Sequence, residues 1–205
     1  MNKHTVGMLT LFLFATSLSA QEAASSKGIE QYESRDYAEA EKSLRAAMEA
    51  EPEDWRSPYY LGLTLLKLQK PAEAMEAFQQ AEKKTDANVA DVKVGMAQAM
   101  VAQKDYTQAD RVLNEAASLD EGNKELPYAR GLLMLARKEF ANSAKHFETA
   151  ISRNSKHAYA HYYAGMAYNG MKRPDRMVEH FEAFLKLAPD APEASKVQSV
   201  LRSVR

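Results

Sequence analysis

"RDYAEAEKSL", residues 35–44, is written four more times in altered spelling: QKPAEAMEAF from 69, KDYTQADRVL from 104, KEFANSAKHF from 138 and KRPDRMVEHF from 172. The five stretches start 34, 35, 34 and 34 residues apart. Self-similarity at a nearly constant period means one supersecondary unit stacked on copies of itself, each burying a face that it cannot cover alone. With Val89 as a single extra residue, the chain from Gln21 divides into units 21–54, 55–88, 90–123, 124–157 and 158–191.

Stacking the units turns residues into columns. The eighth column holds Gly28, Gly62, Ala97, Gly131 and Gly165, small in every unit. The twentieth holds Ala40, Ala74, Ala109, Ser143 and Met177, the twenty-fourth Leu44, Phe78, Leu113, Phe147 and Phe181, and the twenty-seventh Ala47, Ala81, Ala116, Ala150 and Phe184. Steps of four and three keep the last three columns on one helical face. A small residue where two helices cross allows close approach, and a large one a turn later fills the space beside it, so each unit is predicted to be a helical hairpin. Prolines fall where that prediction needs them. Pro71 and Pro174 open second helices, where a missing N–H costs nothing; Pro58 and Pro127 stand at the start of first helices, and Pro52 and Pro189 follow the ends of second ones.

Composition narrows the chemistry. The chain has 205 residues, 45% of them hydrophobic and 27% charged, a balance that suits a globular protein. A net charge of -1 argues against binding nucleic acid, whose affinity comes mainly from a surplus of Lys and Arg. With no Cys, thiolate metal sites, disulfides and thiol nucleophiles are excluded. Charge is uneven: residues 21–89 carry 9 bases and 14 acids, 90–123 carry 3 and 6, and 124–205 carry 14 and 8. A polarised array of this kind is able to orient a partner during encounter.

The pattern of small, aromatic, Ala and Pro positions at this period resembles the tetratricopeptide repeat family, over essentially all of residues 21–191. YYLGLTLLKLQKPAEAMEAFQQA (59–81) is the closest unit; the last departs with Met177 and Phe184, and the first with Lys27 and Gln31 in its opening helix. The resemblance implies an all-α, right-handed α-solenoid of five helix-turn-helix units. It also implies a concave groove lined by the first helices, through the second, fifth, ninth, twelfth and thirteenth positions of each unit. The fifth column reads Ser25, Tyr59, Val94, Tyr128 and Tyr162, the ninth Ile29, Leu63, Gln98, Leu132 and Met166, and the twelfth includes Tyr32, Leu66, Val101 and Leu135. The expected contact residues are Tyr59, Leu63, Leu66, Tyr128, Leu132, Tyr162 and Met166, and the expected ligand is an apolar or amphipathic segment of another polypeptide. A Lys/Asn clamp for a C-terminal carboxylate, used by some members, is missing at Ser25, Ile29, Tyr60, Asp91 and Gly95.

No phosphate-binding Gly loop, H-E-x-x-H or G-x-S-x-G stretch is present, and neither catalysis nor a cofactor is expected. The competing reading is a metal protein or enzyme built on His157 and His161, four apart in HAYAH, with a third ligand elsewhere. His146 and His180, in one column of different second helices, read as solvated.

The flanks differ from the repeats. MNKHTVGMLTLFLFATSLSA (1–20) has a base near its start, an apolar stretch around Val6–Phe14 too short to span a bilayer, and small residues before Ala20. It reads as a secretory signal cleaved after Ala20. That leaves a mature chain with a net charge of -2 and no stable membrane anchor, periplasmic or secreted. At the other end, residues 192–205 carry Ala194, Val197, Val200, Leu201 and Val204 as an apolar stripe and read as a helix capping the last unit.

Overall fold

The computed structural model of the protein describes residues 25–85 and 89–204. The signal reading for 1–20, and the first four residues of the first repeat, lie outside the described residues. Within them every regular element is a helix: α1 (25–33), α2 (Tyr37–Ala50), α3 (Arg56–Lys67), α4 (Pro71–Glu82), α5 (Val89–Ala102), α6 (Tyr106–Leu119), α7 (Leu126–Ala136), α8 (Phe140–Arg153), α9 (Ala158–Gly170), α10 (Pro174–Leu187) and α11 (Ala194–Ser203). The first ten follow one another as five helix-turn-helix units, the all-α architecture that the period implies.

The quoted echoes turn out to be echoes of a turn. In every hairpin the first helix ends in the same pair of hydrogen bonds. The N–H groups of Asp36, Lys70, Asp105, Glu139 and Arg173 donate to carbonyls five residues back at 2.8–2.9 Å, and the preceding N–H donates three residues back at 2.9–3.1 Å. This is the Schellman ending, which needs a left-handed residue at its corner. The corners are Arg35, Gln69, Lys104, Lys138 and Lys172, with φ between 57° and 68°. These are the first letters of the five stretches, and none is glycine. A left-handed backbone strains an L-residue by about 1–2 kcal/mol. Four of the five corners are cationic, which suits the negative end of the helix they terminate.

Second helices start directly after the corner. Asp36 and Asp105 accept from the N–H groups of Glu39 (3.4 Å) and Gln108 (3.2 Å), while Pro71 and Pro174 occupy the opening position of α4 and α10. Their packing faces are the three columns: Ala40/Leu44/Ala47, Ala74/Phe78/Ala81, Ala109/Leu113/Ala116, Ser143/Phe147/Ala150 and Met177/Phe181/Phe184 are all buried. Ser143 keeps its hydroxyl satisfied by donating to the Gly131 carbonyl at 2.9 Å. The need for glycine is steric at Gly62 and Gly95: a Cβ on either would lie 2.6 or 2.5 Å from the ring of Phe78. One aromatic therefore locks its own hairpin and the helix that follows.

The chain divides into two compact bodies, one through Ala99 and one from Met100. The first comprises α1–α4 and most of α5. In the second, Met177 and Phe184, which break the small-residue pattern, are absorbed into a core with Ala188, Ala191, Val197 and Leu201. Helix α11 is shorter than predicted, and Val204 lies beyond its end, 47% exposed, because the stripe stops with the helix at Ser203.

Candidate partner-binding surface

The first helices carry the expected contact residues, and the two bodies present them differently. In the first body Tyr59, Leu63 and Leu66 are all part-exposed along α3. The Tyr59 ring sits 5.6 Å from Trp55, 5.4 Å from Tyr60 and 6.0 Å from Phe78. Tyr60 in turn lies 5.6 Å from Tyr32, which lies 5.8 Å from Tyr37. Five part-exposed rings from α1, α2, α3 and the turn before α3 thus run as one contiguous row. Burial, then the nearby Glu33 and Asp91 carboxylates, push the Tyr60 hydroxyl above its usual value, with Arg56 opposing. Ser25, in the same column as Tyr59, is buried and donates to Asp54 at 3.1 Å. Asp54 also accepts from the Ser57 hydroxyl (3.1 Å) and Arg56 (2.8 Å), tying α1 to the start of α3. Burial works to raise the Asp54 carboxyl, but these donors together hold it below its usual value.

In the second body the aromatic positions are filled from the other side. Tyr128 is 6% exposed, its ring 4.6 Å from His157, 5.9 Å from Phe147 and 6.1 Å from Tyr163. Tyr162 is 8% exposed, packed on Phe184 at 5.1 Å and Tyr163 at 5.0 Å. Both serve the core, which corrects their reading as aromatic anchors offered to a ligand: neighbouring rings cover the faces that an anchor would present. Burial pushes the Tyr163 hydroxyl up to about 12. Of the expected contact residues, this body leaves Leu132 part-exposed and Met166 37% exposed.

The histidines also differ from expectation. His157 and His161 do not converge. His157 caps α9, its Nδ1 accepting from the Ala160 N–H at 3.1 Å, with Nε2 3.7 Å from Glu125. His161 instead meets His180, with their Nδ1 atoms 3.2 Å apart. His180, predicted to be solvated, is 3% exposed: it lies on the Tyr168 ring (5.4 Å, nearly parallel) and contacts Glu148 Oε1 through Nε2 at 3.1 Å. Glu148 further accepts from Tyr168 (3.0 Å) and Arg176 (2.6 Å). Burial works to raise the Glu148 carboxyl, yet Arg176, Tyr168 and His180 together hold it below its usual value. Burial lowers His161, outweighing the Ser155 carbonyl that favours its charged form. Sequence columns missed this network because its members come from three helices, α8, α9 and α10. No group of three or more His, Asp or Glu among the described residues is placed to hold a metal ion.

Repeated hairpins with one shared turn, and side-chain surfaces carried on their first helices, define a helical-repeat scaffold. The family profile of the tetratricopeptide repeat matches residues 26–89 and 128–192. The chain belongs to the tetratricopeptide repeat family. No curated protein matches it in sequence. Among solved structures, a thermophilic tetratricopeptide repeat protein of Thermus thermophilus superposes with a TM-score of 0.74 at 20% identity, over 89% of this chain and 97% of that one. PilF of Pseudomonas aeruginosa gives 0.61 at 19% identity, over 92% and 86%. YrrB, a tetratricopeptide repeat protein with an unusual peptide-binding site, gives 0.51 at 18% identity, over 86% and 90%. At these identities the likeness is one of fold.

Proposed function

We propose that the protein is a non-catalytic scaffold of the cell envelope that binds apolar or amphipathic segments of other polypeptides on the exposed faces of its first helices. The family supports the general part: tetratricopeptide repeats serve protein–protein interaction. The observation that carries the finer reading is the line of part-exposed Tyr59, Leu63 and Leu66 on α3, with Leu132 on α7 and Met166 on α9 in the second body. Large, part-apolar side chains left accessible at regular helical positions are what an amphipathic segment grips. YrrB's peptide-binding site gives a precedent on a related fold. Placement in the periplasm or outside the cell rests on residues 1–20, and the intact mass of the exported protein tests it: a chain starting at Gln21 is expected, and one retaining Met1–Ala20 on a membrane fraction overturns that placement.

Affinity capture from envelope extract tests the binding reading, with wild type compared against Leu63→Asp and Met166→Asp, whose helicity is checked by circular dichroism. Partners held by wild type and lost by either folded variant are expected. An identical set of captured proteins from all three overturns the assignment of the surface.

A further inference from the structure

The first body combines its aromatic row with a negative charge that the second body lacks. Tyr32 and Glu33 close α1, Tyr59 and Tyr60 lie on α3, and Asp91 lies in the first turn of α5, so three successive first helices contribute. Tyr32, Tyr59 and Tyr60 are part-exposed, Glu33 is exposed, and the Glu33 and Asp91 carboxylates both act on the Tyr60 hydroxyl. Residues 21–89 carry 14 acids against 9 bases. Arg56, which opposes those carboxylates at the Tyr60 hydroxyl, pairs with Asp54 through Nε at 2.8 Å.

We propose that this face accepts a cationic side chain of the bound segment, an arginine above all, laid on the Tyr32 and Tyr60 rings and paired with Glu33 and Asp91. Tyr32 and Tyr60 meet edge to face, with centroids 5.6 Å apart, and both keep part of their surface exposed. A guanidinium stacks on a tyrosine face and pairs with a carboxylate in the same plane, which a lysine ammonium does less well. The two forces reinforce each other because ring quadrupole and carboxylate attract the same charge. An acidic segment is rejected by the same groups. This assignment rests on the scaffold reading above and adds the chemistry of the segment it binds.

The test is selection of a phage-displayed random dodecapeptide library on the mature protein and on the Glu33→Gln/Asp91→Asn double variant, followed by affinity measurement on a selected peptide. Trp55, the single tryptophan of the chain, lies 5.6 Å from Tyr59 and reports binding by its own fluorescence. Wild type is expected to enrich Arg-bearing peptides that also carry apolar residues. Replacing that Arg by citrulline, which keeps the shape and removes the charge, is expected to weaken binding about tenfold on wild type and to matter little on the double variant. Peptides enriched without cation preference, or a citrulline penalty that persists in the double variant, overturn the inference and leave the scaffold reading standing. Failure to enrich any peptide, with binding by neither body, overturns both.

Discussion

Tyr59 and Tyr128 hold the same column of two repeats, end up in the two different bodies, and meet different fates. Tyr59 stays part-exposed in an aromatic row; Tyr128 is buried. The cause lies one repeat further on. The sixth position of the following unit is Gly95 after Tyr59 and Tyr163 after Tyr128, and only the second supplies a ring, 6.1 Å away. His157 closes over Tyr128 as well. Two bodies made from one hairpin and one turn therefore diverge where columns are not constrained by hairpin packing. The first exposes rings beside carboxylates. The second buries Tyr128, Tyr162 and His180, with a Glu148–His180–His161 contact chain across three helices. In a repeat protein, identical positions carry different duties because each residue's cover comes from a neighbouring unit.

That contrast exposes itself to four tests. The largest effect is expected from truncation after Ala191, which strips Val197 and Leu201 from the core that holds Phe184. Burial of two such side chains is worth about 3–6 kcal/mol before entropy. Hydrogen exchange should show protection lost through α9 and α10 and kept in the first body. Loss spread equally over both bodies would break the division.

Next, Tyr162→Ala should destabilise by about 3–5 kcal/mol, as for other buried aromatics, and Tyr59→Ala by less than half of that. Urea unfolding of the two variants decides it. Equal losses would mean that Tyr59 belongs to the core as fully as Tyr162 does.

Acidification should act on the second body first. Burial lowers His161 and His146 from 6.5, so the folded state holds fewer protons there than the unfolded chain does. Their contribution is fully present above pH 6.5 and is lost as pH falls through the lowered folded values. Glu148, lowered from 4.5, adds its own loss below that pH. No histidine lies among the described residues of the first body. Hydrogen exchange at pH 7 and pH 5.5, corrected for intrinsic rates, should show the second body loosening alone. A first body that loosens equally would remove the histidines from the explanation.

The smallest effect probes what the bodies share. Gln69→Gly in one and Lys138→Gly in the other relieve the same left-handed corner, at φ of 60° and 62°. Each should stabilise by about 1 kcal/mol or less, after the entropy of glycine is set against the strain removed. Matched shifts in urea midpoint sharpen the claim of one turn in two bodies, and a gain at only one would show that local contacts override it.

Period, small-residue columns and proline positions dictate the hairpins, their number and their packing faces, since a helix buries whatever recurs at steps of three and four and a solenoid repeats that rule unit by unit. The corner residues open the five echoes, but that they form a turn with a left-handed φ was not legible, because Arg, Gln and Lys carry no glycine-like signal. Among the groove candidates, Leu63, Leu66, Leu132 and Met166 keep accessible surface, while Tyr128 and Tyr162 do not. Column position places a side chain on a face, but the cover over that face comes from a ring in the next repeat or the next helix. The meeting of His161 with His180, the burial of His180 on Tyr168, and the row from Trp55 to Tyr37 have the same origin. They join residues on separate helices at separations no local period encodes, so only tertiary packing, through ring size and the distance between neighbouring helices, decides which side chains are spent on the core and which remain for a partner.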